Sequence, residues 1–135
     1  MALNLNFSTT IRNNQLDQNT SAIGSSGKLR IYDGTQPATV ATAITTQVLL
    51  ADLALSATAA PGASGGVLTF NSISNDSSAD NTGTASWGSL LTSANVRVAD
   101  FTVGTSGTDM IINNTSIVSG QVVSCSSLTI TAGNA

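Results

Sequence analysis

Oxygen-bearing side chains that could bind a metal ion are concentrated in residues 75–81, which hold two aspartates, two asparagines and two serines. Ca²⁺ takes several carboxylate and carbonyl oxygens from loops of this kind. The segment has neither the glycine nor the bidentate glutamate that an EF-hand loop requires. Asn and Asp more often hydrogen-bond the backbone of their own turn. The pattern therefore favours a structural turn, with ion binding as the open alternative, and we expect no cofactor.

A second candidate for chemistry is the run Ser-Cys-Ser-Ser at positions 124–127. A nucleophilic Ser or Cys needs a neighbouring base and an orienting group. The chain contains no His and only one Lys, Lys28, so a His-dependent triad is impossible. Cys125 is therefore interpreted as a small, half-buried strand residue. The composition predicts that the protein is not an enzyme.

Charge is scarce along the whole chain. Of the 135 residues 8% are charged and 41% are hydrophobic, the net charge is −3, and all seven acidic residues are Asp. Disordered chains combine low hydrophobicity with high net charge, so we expect one folded domain. Four basic residues are too few for binding nucleic acid through its phosphates. No long apolar stretch or basic leader occurs, so we expect no membrane segment and no signal peptide.

The elements that would position these residues differ between the two parts of the chain. In residues 1–27, Ser8 or Thr9 could cap a helix that ends at Gly24, with Phe7, Ile11, Leu16 and Ile23 along one side. The high content of Asn and Gln leaves open an arm that becomes ordered only against a partner. The prediction for this part is an N-terminal arm or short helix.

Residues 28–135 have the pattern of short strands joined by polar turns. Leu29 and Ile31 alternate with polar neighbours before the Asp33-Gly34 turn. Residues 48–55 could be a helix or a strand, and we favour the strand. Candidate strands recur about every ten residues, which is typical of an antiparallel β-sandwich with a jelly-roll-like arrangement. Trp87, the only Trp, fits a core position better than an exposed sugar-stacking one.

Three segments carry a resemblance to a known group: LRIYDGTQPAT (29–39), GASGGVLTFNSISNDSSADNTGTASWGSLLT (62–92) and VGTSGTDMIINNTSIVSGQVVSCSSLTITAGN (103–134). Together they resemble small proteins encoded beside the capsid genes of tailed bacteriophages, some of which are head decoration, or cement, proteins. The resemblance covers most of the chain after about Lys28. It implies a jelly-roll β-sandwich that sits on the outside of an icosahedral shell as a dimer or trimer. None of its motifs is catalytic.

This resemblance, together with the composition, predicts a structural virion protein. We expect it to assemble in the host cytoplasm and to stabilise the phage head by bridging subunits of the major capsid protein. Many modest contacts would be summed by repetition on the lattice. The residues expected to contact the capsid or a second subunit are the apolar side chains of the N-terminal part: Leu3, Leu5, Phe7 and Ile11.

Two other function classes stay open. A phage fibre or tail module that binds a host-surface glycan or receptor predicts an exposed aromatic platform near Trp87 or Tyr32. A polysaccharide hydrolase needs paired carboxylates, for which Asp76 and Asp80 are the available pair.

Overall fold

A computed structural model describes residues 5–132, which form one helix and nine strands. The helix α1 spans Thr9–Ile23. It begins where the Ser8 Oγ accepts a hydrogen bond from the Ile11 N–H at 3.3 Å, and it ends at Gly24, whose φ is 70°. Both ends confirm the sequence prediction, because a hydroxyl satisfies a free helical N–H and glycine tolerates the left-handed conformation. Over the same residues, no helix has the length and apolarity needed to cross a membrane.

Nine short strands form two sheets. Their bounds are β1 (Lys28–Tyr32), β2 (Leu49–Ala54), β3 (Val67–Thr69), β4 (Gly83–Thr84), β5 (Trp87–Leu91), β6 (Arg97–Gly104), β7 (Met110–Ile112), β8 (Ser116–Ile117) and β9 (Cys125–Thr131). Seven strands form one sheet in the order β2-β1-β5-β6-β7-β9-β3, while β4 and β8 pair separately. The prediction of a mainly β fold is confirmed, and so is the choice of a strand over a helix within residues 48–55.

The large sheet is curled and contains one pair of parallel neighbours, β6 and β7. These two strands are parallel, with Val103 opposite Met110, and only residues 105–109 connect them. Parallel neighbours usually need a connection of a dozen residues or more. Here the Asp109 carboxylate accepts hydrogen bonds from the Thr102 N–H and hydroxyl at 3.1 and 3.0 Å, which holds the short connection in place. All other strand pairs between residues 5 and 132 are antiparallel, as predicted.

The core is shared by the large sheet and the helix. Its fully buried members include Leu29, Leu53, Leu90, Leu68, Met110 and Leu128. Leu16 and Ile23 of α1 belong to the same cluster. The predicted division into residues 1–27 and 28–135 stays a prediction, but the helix contributes two side chains to the core of the strands.

The free edge of β2 is covered by residues 74–81. Four hydrogen bonds join them: Ser74 N–H to Ala54 O at 3.0 Å, Asp52 N–H to Asp76 Oδ2 at 2.9 Å, Asp80 N–H to Leu50 O at 2.8 Å, and Asn81 Nδ2 to Leu49 O at 2.8 Å. The segment also forms an isolated antiparallel β-bridge between Asp76 and Val123. The polar groups at this sheet edge therefore have partners within the chain.

Candidate contact surface

The side chains predicted to touch a partner lie at and before the start of α1. Leu5 is 62% exposed and Ile11 is 43% exposed, whereas Phe7 is half-buried. Leu3 lies outside the described residues. The structure therefore places apolar surface in water at this end of the molecule, as an interface would require.

Ile11 does not share the buried side of the helix, so that part of the sequence prediction is wrong. Successive helical residues are about 100° apart, which puts Leu16 and Ile23 within about 20° of each other. Ile11 is about 140° away from Leu16 by the same geometry. Leu16 and Ile23 are 4% and 2% exposed, so the opposite orientation of Ile11 leaves it in solvent.

Two polar side chains of α1 fasten it to the turn before β3. The Asn13 Oδ1 accepts a hydrogen bond from the Gly66 N–H at 2.9 Å. The Asp17 Oδ1 accepts one from the Ala63 N–H at 2.7 Å. Because both side chains accept from backbone N–H groups of this turn, the two hydrogen bonds fix the position of the helix relative to the sheet. The sequence analysis missed this role of Asn13 and Asp17.

Close packing at Gly66 strengthens the same junction. Gly66 has a φ of 77°, and a Cβ built there would lie 2.1 Å from the Arg12 Nη1. The guanidinium of Arg12 therefore lies directly against the glycine backbone. Only glycine combines this conformation with such a close approach. In the sequence, the pair Gly65-Gly66 was the feature that could have indicated a close approach of another side chain to the backbone here.

The solvent side of α1 carries no charge. From Asn14 onward, its exposed residues are Asn14, Gln15, Gln18, Ser21 and Ala22, which we call the outer helix face. The two charged residues of the helix, Arg12 and Asp17, face the turn before β3 instead. Surface helices usually place charged side chains toward water. The lack of charge on this face agrees with the composition of the whole chain, of which only 8% is charged.

Side chains of the oxygen-rich residues 75–81 form hydrogen bonds with backbone groups. Besides the bond to Asp52, the second carboxylate oxygen of Asp76 accepts from the Ser78 N–H at 3.0 Å, as in an Asx-turn. Burial raises the pKa of Asp80, and the carboxylates of Asp76 and Asp52 raise it further. Among residues 5–132, no group of three His, Cys, Asp or Glu side chains could hold a metal ion. The loop fits a structural turn.

Trp87 and Tyr32 do not form an exposed platform. Trp87 is 1% exposed and Tyr32 is 6% exposed, and their rings stack with centroids 4.6 Å apart. The Trp87 Nε1 donates to the Asp33 carbonyl at 3.0 Å. The Arg97 guanidinium lies 5.8 Å from the Trp87 ring centroid and also donates to the Thr42 carbonyl. The loop between β1 and β2 thus contacts this cluster, and the core interpretation of Trp87 is confirmed.

Cys125 borders a groove of about 270 Å³ between residues 70–73 and 125–128. Burial raises the pKa of its thiol to about 11, although a hydrogen bond with the backbone of Ser127 lowers the pKa in part. The thiolate is the reactive form of cysteine, so this group is neutral and unreactive near pH 7.

Comparisons with known proteins add no family to this description: no family model, curated protein or solved structure matches the chain.

Proposed function

We propose that the protein is a capsid decoration protein of a tailed bacteriophage, which binds the outside of the head and stabilises it by bridging major capsid subunits. It assembles on the virion in the host cytoplasm and uses no cofactor. Besides the sequence resemblance, one structural observation carries the proposal. Apolar side chains are exposed to solvent at the start of a helix that is hydrogen-bonded to the turn before β3.

A fixed helix makes this surface effective for binding. The core contacts of Leu16 and the hydrogen bonds of Asn13 and Asp17 already restrain α1 before any partner is present. Binding through Ile11 therefore loses little further backbone freedom.

The free energy available from each copy is small. Burying the exposed parts of Leu5 and Ile11 contributes about 2–3 kcal/mol. The backbone freedom that Leu5 loses on binding opposes this, since fixing the backbone of one residue costs about 1–2 kcal/mol. Net binding per contact is therefore weak, and repetition over the lattice would supply the strength. The uncharged, hydroxyl-rich composition suits such contacts, because few charges lose their hydration.

The proposal includes a jelly-roll-like β-sandwich. The curled sheet supports this, because side chains from both of its parts meet in one core. Leu29 and Leu90 come from one part, and Leu68 and Leu128 from the other. A sandwich of this kind would present its loops and the N-terminal segment to a flat shell while keeping the core intact.

The test is the binding of purified protein to undecorated capsids assembled from the major capsid protein of the phage proposed to carry it. The variant Leu5→Ser/Ile11→Ser removes the exposed apolar groups without touching the core. We expect co-sedimentation to require a protein concentration about 30-fold higher or more. The control is Val96→Ser, which removes a 60% exposed apolar side chain from the β5–β6 turn and should leave binding unchanged. Equal decoration by the double variant and the wild type would contradict the proposal.

A further inference from the structure

We infer that Arg12 is the ion-pairing residue of the capsid contact, and that it binds an acidic side chain of the major capsid protein. This inference rests on the proposed function and adds the chemistry of the partner. Arg12 directly follows Ile11, whose exposed side chain belongs to that contact. Within residues 5–132, Arg30 and Arg97 each form an ion pair with an Asp, whereas Arg12 forms none.

The guanidinium of Arg12 has few acceptors for its five N–H donors. Its Nη2 donates to the Thr9 hydroxyl at 3.4 Å, which is long for such a bond. Its Nε is buried and has no acceptor among the described residues. Its Nη1 lies against the backbone of Gly66, which limits hydration from that side. A partly desolvated cation is unfavourable until an anion pairs with it.

The position of Arg12 in the helix is also unfavourable for the free protein. Arg12 is the fourth residue of α1, and the first turn of this helix contains no acidic residue. The start of a helix carries a partial positive charge, so an anion is stabilising there and a cation is not. The chain has seven Asp residues, yet none is used at this place. Residues that oppose local stability are expected at functional sites, and an anion from a partner would compensate for this one.

The chemistry of the guanidinium selects a carboxylate. Arg presents a planar fork of N–H groups that matches the two oxygens of Asp or Glu. These carboxylates are the anionic side chains that the protein surface of a shell can offer. The exposed parts of Leu5 and Ile11 bind without directional preference, since burial of apolar area is non-directional. An ion pair beside them would fix the orientation of the bound protein and select the correct site on the shell.

The test is co-sedimentation with undecorated capsids at about 50 mM and about 500 mM NaCl. Arg12→Met removes the charge and keeps an unbranched, flexible side chain. At the lower salt concentration the wild type should bind at least about fivefold more tightly than Arg12→Met. The difference should shrink at the higher concentration, because salt screens the ion pair. Arg12→Lys keeps the charge without the planar fork and should have an intermediate affinity.

The matched control removes the same charge elsewhere. Lys28→Met changes a residue of β1 whose Nζ donates to Asn95 in the β5–β6 turn, at 3.1 Å, rather than to α1. This variant should bind like the wild type at both salt concentrations. Equal binding by Arg12→Met and the wild type, or an equal loss in Lys28→Met, would overturn the inference and leave the proposed function standing. A wild type that does not bind would overturn both.

A second measurement needs no capsid and examines whether Arg12 is unpaired in the free protein. Arg12→Met should keep or raise the urea midpoint, because it removes a cation that has no partner. The Ala132 N–H donates to the Gly66 carbonyl at 3.0 Å, so the comparison includes a chain without residues 133–135, which lie outside the described residues. If Arg12→Met and this deletion lower the midpoint equally, with no further loss in combination, the chain pairs Arg12 itself and the inference is wrong.

Discussion

Replacing Asp17 by alanine should loosen α1 from the sheet and lower the free energy of unfolding. The substitution removes the carboxylate that accepts a 2.7 Å hydrogen bond from the Ala63 N–H in a partly buried position. Hydrogen bonds to charged groups contribute about 1.5–3 kcal/mol. Alanine regains about 0.5 kcal/mol through its higher helix propensity. The expected net loss is therefore about 1–2.5 kcal/mol.

The assay is urea unfolding followed by the fluorescence of Trp87, the only Trp. The matched control is Asn14→Ala, which makes the same kind of change in the same helix, but on its outer face. The control should keep or slightly raise the stability, since it gains helix propensity and loses no anchoring bond. Hydrogen exchange at the Ala63 amide should accelerate only in Asp17→Ala. If the two variants have equal unfolding midpoints, the reasoning about helix docking is wrong.

Two further predictions concern the sheet and the thiol. Gly88→Ala should lose about 1–3 kcal/mol, because its Cβ would lie 2.8 Å from the Phe101 ring and 2.9 Å from the Arg30 carbonyl. Gly62→Ala, with nothing within 4 Å, should change stability little, and equal urea midpoints for the two would contradict the close packing. Alkylation of Cys125 by iodoacetamide should rise with pH around a midpoint of about 11, and a midpoint near the ordinary 9.0 would contradict its burial. Since the folded thiol has the higher pKa, its contribution to stability is present below pH 9.0 and is lost as pH rises toward 11.

Features that depend on neighbouring residues could be predicted from the sequence. Ser8 and Gly24 bound the helix because capping is a property of the helix ends themselves. The Thr- and Ala-rich flanks of residues 48–55 favoured a strand over a helix there, and β2 lies within these residues. The burial of Trp87 followed from its size and apolar surroundings.

Features that depend on distant segments could not be predicted. Strand β3 spans only three residues, and shortly after it the Asn71 N–H donates to the Ala59 carbonyl, a partner that no local pattern indicates. The parallel pairing of β6 and β7 involves the connection at residues 105–109, where Asp109 accepts from the Thr102 N–H. A hydrophobic pattern along the chain carries no information about this contact. Asn13 and Asp17 have the residue types of a solvated surface, and only the position of the turn before β3 makes them anchors. The orientation of Ile11, by contrast, was available from helical geometry alone.

The covered edge of β2 has a consequence for how the protein can accumulate. An open strand edge is a template onto which another chain can add, and this is a common route to aggregation. Here residues 74–81 occupy that edge and place Asp76 and Asp80 beside it. At the other end of the sheet, β3 is only three residues long and starts in a tight turn where Ser64 and Val67 bond each other. Both ends of the large sheet are therefore poor templates for the edge-to-edge addition of another copy of this chain.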